Sequence, residues 1–353
     1  MRHSALAVRL SMLLVMLVSI VRAGGAQERE VTAIDINGII SPATASYVER
    51  AIELSADRGA EFLLVRMDTP GGLLDATQDI VQDFLASPVP IVVYVTPQGA
   101  SAASAGAFIT LAAHVAAMAP ATNIGAATPV QMGGGEADPD APATEKMISY
   151  AESYIESIAD ERDRNVEWAR SAVREGASIS AEEAVQINVI DFIASDVSQL
   201  LSTLDGWEVD GRALTTDGVE IREIPMSAVE RFFQTLFRPE LIFLLMLVAI
   251  YGIIGELGNP GAIFPGAVGV VALLLLLYTI AILPLNLIGF AIVGVGIALL
   301  IAEAFVPSFG VLTIAGLAAF ILGSLMIFEG TPPAFELSLA VLIPAALITA
   351  AFF

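Results

Sequence analysis

The serine and lysine residues of this chain point to covalent catalysis. Lys146 is the only lysine among 353 residues, whereas arginine occurs 15 times. Arginine stays protonated at physiological pH, but a desolvated lysine can lose its proton and act as a general base. Ser104 lies 42 residues upstream of Lys146, within a run of small residues from Gly99 to Gly106. The pair predicts a serine nucleophile with a lysine base. The alternative is an ordinary surface lysine in a lysine-poor chain.

Two turns predict how such a serine would be positioned. Gly71 and Gly72 follow one apolar strand, and Ser104 follows the next, in the first turn of a predicted helix. The carboxyl ends of parallel strands meet at one edge of a sheet, where α/β domains place their sites. We predict that the N–H groups of Gly72 and Ala105 form an oxyanion hole, because backbone donors there can stabilise the developing charge. Pro70 and Gly71 are expected to contact substrate. The alternative is that Ser104 is a small residue in a tight helix–strand contact.

The histidines are poor candidates for the base. His3 lies in the N-terminal apolar segment, and His114 begins a strand ten residues after Ser104, where a structural role is expected. Ser101 is interpreted as a helix cap. A Ser-His-Asp triad is therefore poorly supported, and the absence of cysteine excludes thiol catalysis and disulfides.

The surrounding elements alternate between strand and helix. Strands are predicted over 31–36, 62–67, 90–95, 115–119 and from 189, and helices over 42–58, 74–85, 101–112, 145–164 and towards 204. This order is typical of an α/β domain with a largely parallel sheet. Thr144 is expected to cap the helix that carries Lys146. A loop rich in glycine, proline and acidic residues, 130–144, precedes that helix, so we expect the dyad to assemble when substrate or a neighbouring subunit orders the loop.

The chain is divided by composition. Residues 27–238 hold 33 acidic and 13 basic residues, and this excess of negative charge disfavours a nucleic-acid partner. Residues 239–353 contain no lysine or arginine. Their apolar runs are 241–255, 262–283, 285–302, 309–328 and one that begins near 337. We predict a soluble domain over 27–230 and a transmembrane domain of about five helices over 231–353.

Residues 1–26 predict export. Arg2 and Arg9 precede an apolar core and a small-residue stretch, so a cleaved signal peptide and an uncleaved signal anchor both fit. Either would place the soluble domain outside the cytoplasm. Arg231 and Arg238, before the first span, argue weakly for the reverse orientation, but long domains translocate largely regardless of flanking charge. We expect a multi-pass plasma-membrane protein with an extracytoplasmic domain.

The apolar half contains an internal repeat. Glu256 is followed by Pro260 and Gly269, and Glu303, 47 residues later, by Pro307 and Gly316 at the same offsets. One interpretation is a duplicated helical hairpin whose buried glutamates receive substrate segments, because intramembrane acids are costly. The other is that both glutamates lie at the membrane interface beside ordinary loops.

Four elements together resemble the membrane-bound serine proteases of the nodulation efficiency protein D (NfeD) family. They are Asp68-Thr69-Pro70-Gly71-Gly72, Ala102-Ala103-Ser104-Ala105-Gly106, Met118-Ala119-Pro120 with Ile124-Gly125-Ala126, and Lys146. That family belongs to the wider ClpP and signal peptide peptidase A group, which has the ClpP/crotonase fold. The resemblance covers about residues 30–204, and the multi-span region after it also fits. Thr128-Pro129 stands where the ClpP pattern has its histidine.

The resemblance implies roles for the same residues. Ser104 would be the nucleophile, Lys146 the general base, and Gly72 with Ala105 the oxyanion hole, without a cofactor or metal. It also implies cleavage of apolar segments of stomatin-like membrane proteins, contact with membrane lipid, and a homodimer or larger assembly. Family members usually end in a small OB-type barrel, which we expect to be absent here.

Two further functions stay open on the sequence alone. One is a non-catalytic membrane scaffold that binds stomatin-like partners, although the single lysine at the dyad position favours an enzyme. The other is a crotonase-type acyl-CoA enzyme, which an exported location and an acidic surface disfavour. A transporter would need a charged pathway, and none is visible in the spans.

Overall fold

The computed structural model describes residues 29–129, 142–283, 285–306, 308–329 and 337–352. The predicted export signal, most of the loop before Lys146, and Pro307 of the repeat lie outside the described residues. The chain begins with β1 (Glu30–Asn37), α1 (Pro42–Arg58), β2 (Leu63–Asp68), α2 (Leu74–Leu85), β3 (Ile91–Val95), β4 (Ser101–Ala103), α3 (Ala105–Ala112), β5 (Val115–Met118) and β6 (Asn123–Gly125).

The second part of the soluble domain packs around this unit. Its elements are α4 (Pro142–Glu161), α5 (Val166–Arg174), β7 (Ser178–Ser180), α6 (Ala181–Gln186), β8 (Phe192–Ile193), α7 (Val197–Leu204), β9 (Glu208–Val209), β10 (Arg212–Ala213), β11 (Glu220–Glu223) and α8 (Ala228–Leu236). The membrane part contains α9 (Pro239–Gly258), α10 (Phe264–Ile282), α11 (Leu287–Glu303), α12 (Val311–Met326) and α13 (Leu339–Phe352).

A parallel sheet organises the soluble domain, which confirms the predicted α/β class. Its strand order is β11-β1-β2-β3-β5-β8, and every recorded pairing within it is parallel. All five residues of β3 are buried, because helices or connecting segments cover both faces of the sheet. A smaller sheet, β4-β6-β7, lies beside its carboxyl edge. That small sheet carries the chain into the turn at Ser104.

Local signals fixed several helix ends. Helix α1 starts at Ser41, whose hydroxyl accepts from Thr44 N–H, and ends at Gly59 with φ 65°.

Two predictions were wrong. Ser101 is not a helix cap but the first residue of β4, so the helix predicted from 101 begins at Ala105. Thr144 is not the cap of α4, which already begins at Pro142, because the fixed φ of proline suits the first turn of a helix.

The strand β4 replaces the predicted helical turn because of a distant partner. Thr69 N–H donates to Ser101 O at 2.8 Å, and Ala103 N–H donates to Thr69 O at 3.0 Å. The carboxylate of Asp68 accepts from Ser101 N–H at 3.0 Å. These bonds continue the carboxyl end of β2 onto β4. They are made across more than thirty residues and therefore leave no local signal in the sequence.

The membrane helices form two close hairpins, α9 with α10 and α11 with α12. In the described part of the chain, two helices, α9 and α10, are long and apolar enough to cross a bilayer, and the other apolar helices are shorter. A Cβ added at Gly252 would lie 2.5 Å from Pro265 O, and one at Gly296 would lie 2.7 Å from Gly316 O. Glycine therefore lets the helix backbones approach each other in both hairpins.

The two repeated glutamates lie at the turns of these hairpins. The Glu303 carboxylate accepts from the N–H groups of Gly310 at 3.0 Å and Thr313 at 3.2 Å, and so caps the start of α12. Glu256 accepts from Gly261 N–H at 3.3 Å, and its second carboxylate oxygen is buried without a partner among the described residues. The bonds of Glu303 within its own turn match the second interpretation, a glutamate beside an ordinary loop.

Candidate active site

Ser104 occupies a strained turn between β4 and α3. Its backbone has φ 51° and ψ −111°, a conformation that a residue with a side chain rarely adopts. Such a conformation costs about 1–3 kcal/mol and persists only when surrounding contacts impose it. Here the N–H of Ser104 donates to Gly125 O at 2.9 Å, and its carbonyl accepts from Ala107 N–H at 3.0 Å. The turn holds Ser104 between β4 and the N-terminus of α3, immediately before the helix and not within its first turn as predicted from the sequence.

Gly71 packs directly against this serine. A Cβ added at Gly71 would lie 2.7 Å from Ser104 Cβ and 3.1 Å from Ser104 Oγ, and φ at Gly71 is 122°. Both the space and the backbone conformation require glycine at this position. The turn after β2 and the turn after β4 are therefore in contact at the hydroxyl. Pro70, half-buried, precedes Gly71 in the same turn.

Two backbone N–H groups close to this contact have no acceptor in the described part of the chain. Ile40 pairs with the turn by donating to Gly71 O and accepting from Leu73 N–H, each at 2.9 Å. In this parallel pairing the N–H of the intervening Gly72 faces away from Ile40. Ala105 is the first residue of α3, where an N–H has no intrahelical acceptor. The arrangement can supply two donors to an oxyanion beside Ser104.

Thr69 joins the two turns, and the sequence reasoning missed its role. Its hydroxyl accepts from Gly71 N–H at 3.0 Å, while its main chain bonds to Ser101 and Ala103. A Cβ added at Gly106 would lie 2.7 Å from the Thr69 methyl group. Thr69 therefore sets the distance between the Gly71 turn and α3. A threonine immediately before Pro-Gly-Gly is a local turn signal that could have indicated this.

Lys146 lies apart from this assembly. It is exposed near the start of α4, and no hydrogen bond or ion pair joins it to Ser104 within the described residues. The later turns of α4 are anchored, since Tyr154 stacks on Phe108 of α3 with ring centroids 6.0 Å apart. One turn after Lys146, the Tyr150 hydroxyl accepts from the Gln78 side chain of α2 at 2.6 Å. The helix is thus fixed against the elements that flank Ser104, while its first turns adjoin residues that are not described.

One acidic neighbour of Lys146 has a cationic partner. Glu145 lies 3.7 Å from Arg174 of α5, and Arg174 also bonds to Glu152 at 2.6 Å. Arginine pairing therefore offsets part of the negative charge beside Lys146. The acidic residues of the loop that precedes this helix, Glu136, Asp138 and Asp140, lie outside the described residues.

His114 lies at the other end of the sheet. It precedes β5, and its Nδ1 accepts from the N–H of Ile91, the first residue of β3, at 3.1 Å. Burial, with Arg162 nearby, lowers the pKa of His114 to about 4. The ring is therefore neutral at physiological pH and is bound into the sheet, far along the strands from Ser104. Among the described residues, no group of histidine, aspartate and glutamate could hold a metal ion.

Two family models match the chain. Residues 30–207 match the N-terminal domain of NfeD1b, and residues 240–353 match the NfeD integral membrane domain. Both halves seen in the composition are therefore represented in one family. The first match contains Ser104, Lys146 and the Gly71 turn, and the second contains both helical hairpins.

Curated relatives and solved structures agree with these matches. The chain is 35% identical over 301 residues to the membrane-bound protease PH1510 of Pyrococcus horikoshii, which covers 84% of this chain and 68% of that protein. It is 28% identical over 330 residues to membrane protein NfeD1b of Bacillus subtilis, covering 90% of this chain and 71% of the relative.

Two solved structures of the 1510-N membrane-bound stomatin-specific protease are similar to the soluble domain. A serine-to-alanine mutant is 35% identical with a TM-score of 0.53, covering 57% of this chain and 99% of the other. A lysine-to-alanine mutant in complex with a substrate peptide is 34% identical with a TM-score of 0.54, covering 59% and 97%. The chain belongs to the NfeD family and is a membrane protein with an α/β serine-peptidase domain.

Proposed function

We propose that this protein is a membrane-anchored endopeptidase in which Ser104 is the nucleophile and Lys146 the general base. The observation that carries the proposal is the contact between the two turns. Ser104 is held in a strained conformation against Gly71, beside the unpaired N–H groups of Gly72 and Ala105. Acyl transfer needs this combination of a nucleophile and preorganised oxyanion donors.

The residues then have the following chemical roles. Lys146 Nζ takes the proton from Ser104 Oγ as the oxygen attacks the peptide carbonyl. The N–H groups of Gly72 and Ala105 stabilise the oxyanion, and the protonated lysine gives its proton to the departing amine. Water, activated by Lys146, releases the acyl group from Ser104. Pro70 and Gly71 line the path of the substrate main chain.

The relatives support this assignment. The serine and the lysine mutated in the two 1510-N structures are 41 positions apart, and Ser104 and Lys146 are 42 apart. That protease is described as stomatin-specific, and its lysine mutant holds a substrate peptide. We infer that this chain also cleaves apolar segments of stomatin-like membrane proteins. Neither the scaffold nor the acyl-CoA alternative receives comparable support.

The rest of the arrangement is also proposed. Residues 27–230 form the protease domain, and 231–353 form a multi-pass domain of about five helices in contact with lipid. An export signal within 1–26 places the protease domain outside the cytoplasm. Because Lys146 is exposed and apart from Ser104, we infer that substrate or a second subunit of a homo-oligomer brings the base to the nucleophile.

The proposal is tested with the full-length protein in detergent micelles. Cleavage of an internally quenched apolar peptide is measured for the wild type, Ser104→Ala and Lys146→Ala. Both variants are expected to lose at least about a thousandfold in kcat, because dyad members act as a unit. Ser153→Ala, which changes an exposed serine on α4, is the matched control and should retain full activity. Wild-type rates in both dyad variants would refute the assignment.

A further inference from the structure

A cavity lies between the protease domain and the membrane domain. Its volume is about 320 Å³, and it is lined by Pro42, Leu73, Leu74, Asp75, Ala76, Ala281 and Ile282. Five of these residues belong to the start of α1 and the start of α2, and two belong to the last turn of α10. Apart from the Asp75 carboxylate, the lining side chains are apolar. The volume lies within the lower range of sites that bind small groups in proteins.

The lining of the cavity begins one residue after the Gly71–Gly72 turn. Leu73 is the residue after Gly72, and its N–H donates to Ile40 O in the pairing that turns the Gly72 N–H outward. Leu73 is buried, whereas Leu74 is half-exposed. The cavity therefore adjoins, along the chain, the turn that contacts Ser104.

Helix α8 holds the two sides of the cavity together. The membrane wall is formed by the end of α10, and the protease wall is formed by the starts of α1 and α2. On one side, the Gln234 amide donates to Ile39 O at 2.8 Å and accepts from the Ser41 hydroxyl at 2.5 Å. Glu230 accepts two hydrogen bonds from Arg50 of α1, each at 2.7 Å. These bonds join α8 to the segment that contains Ile40 and Pro42.

On its other side, α8 contacts α10. The ring of Phe233 packs edge-on against Tyr278, with centroids 5.6 Å apart. Tyr278 lies one helical turn before Ile282, so this contact sets where the end of α10 meets Leu73. The position of the membrane wall is thus determined by side-chain contacts on both faces of α8.

We propose that α10 supplies one wall of a substrate subsite, and that the subsite takes an apolar side chain of the substrate polypeptide close to the cleaved bond. The inference rests on the proposed peptidase function. Two lining residues, Leu73 and Leu74, directly follow the turn that contacts Ser104, and the lining is apolar apart from Asp75, which together favour an apolar side chain of the substrate as the occupant. A substrate segment that emerges from the bilayer beside α10 would present such a side chain at the level of Ile282. Specificity would then depend on the membrane domain as well as on the protease domain.

The test uses full-length protein in detergent micelles and two separate measurements. The first is the rate at which a small phosphonate reagent labels Ser104, which reports the nucleophile, its base and the oxyanion hole without any substrate side chain. The second is kcat/KM for internally quenched peptides that differ only in having alanine, leucine or phenylalanine next to the cleaved bond. Each of the positions flanking that bond is varied in turn.

Ala281→Trp fills the cavity and is expected to lower the preference for leucine over alanine by at least about tenfold, because an apolar pocket discriminates by the volume it can accept. Labelling of Ser104 should stay at the wild-type rate. Ile282→Ala enlarges the cavity and should shift the preference from leucine towards phenylalanine. Ala291→Trp, an exposed position on α11 that does not line the cavity, is the matched control and should change neither measurement.

The outcomes separate the two proposals. If Ser104 is labelled normally while Ala281→Trp and Ile282→Ala keep the wild-type preference at every flanking position, the subsite is refuted and the peptidase stands. If Ala281→Trp loses labelling through misfolding, the preference of Ile282→Ala decides. A wild-type protein whose Ser104 is neither labelled nor needed for cleavage would refute the peptidase and the subsite together.

Discussion

The nucleophile and its base lie in regions that are built differently. Ser104 is surrounded by buried backbone, with its φ, its N–H and its neighbour Gly71 all fixed by bonds to β2, β6 and α3. Lys146 is exposed on the first turns of α4. If Ser104 and Lys146 act as proposed, the oxyanion donors are in place before substrate binds, whereas the base reaches Ser104 only later. Activity would then be regulated at the lysine and not at the serine.

The largest expected effect tests the base. Lys146→Arg keeps the positive charge but cannot take up a proton, so it should lose at least about a thousandfold in kcat, as Lys146→Ala does. Labelling of Ser104 by a small phosphonate should fall as well, because the attack still needs a base. Rates are also expected to rise with pH in the wild type, from neutral to mildly alkaline. A Lys146→Arg enzyme with wild-type kcat would remove the lysine from the mechanism.

A smaller effect tests the turn at Gly71 that packs against Ser104. Gly71→Ala introduces a Cβ 2.7 Å from Ser104 Cβ, so the turn must shift, and kcat should fall by about a hundredfold. Gly206→Ala is the matched control, since Gly206 also has a positive φ, of 79°, but nothing lies within 4 Å of an added Cβ. Gly206→Ala should show only the backbone strain of about 1 kcal/mol, which is measured as a lower midpoint of thermal unfolding. Equal kcat values for both variants would argue against a preformed site.

The scaffold beneath Ser104 has its own pH dependence. The folded-state pKa of His114 is lowered to about 4 from its usual 6.5 by burial, so the unfolded chain binds the proton more readily. The free energy of unfolding should therefore fall as pH is lowered from about 6.5 towards 4, by about 3 kcal/mol in total. Activity measured after return to neutral pH should be unaffected.

The contribution of His114 is isolated by comparing the wild type with His114→Gln. The comparison is needed because Asp83 acts in the opposite direction. Burial and the nearby carboxylates of Glu49, Asp79 and Glu53 raise the pKa of Asp83 to about 6, so its contribution favours the folded state as pH falls. The free energy of unfolding of the wild type, relative to that of His114→Gln, should fall as pH is lowered from about 6.5 towards 4 and should stay constant above pH 6.5. A difference that does not change with pH would show that His114 does not titrate on unfolding.

The smallest effect concerns the charge near the base. Arg174→Ala removes the partner of Glu145 and Glu152, two glutamates of α4, the helix that carries Lys146. We expect kcat to fall by no more than about twofold, because these groups are exposed and their charges are screened. Arg170→Ala, on the same helix but paired with Glu156, is the matched control. Equal changes in both variants would make the effect one of net charge alone.

The sequence by itself determined the elements of the soluble domain whose signals are local. Apolar periodicity and end signals predicted α1 and α2 to the residue, and β2 and β3 within one residue of their ends. The same reasoning predicted that Ser104 and the Gly71 turn meet at one edge of the sheet. Near neighbours in the chain encode these features, because caps, turns and amphipathic spacing act over a few residues.

Only the tertiary structure decided how the turns are joined. The bonds from Thr69 to Ser101 and Ala103 turned a predicted helix into β4, and the pairing of Ile40 with Gly71 and Leu73 directed the Gly72 N–H. The placement of Ile282 beside Leu73 likewise depends on α8, which the sequence reasoning did not identify. The physical reason is the same in each case. A main-chain hydrogen bond or an apolar contact between distant residues depends on how the whole chain packs. A short stretch of sequence does not specify which distant residue it will contact.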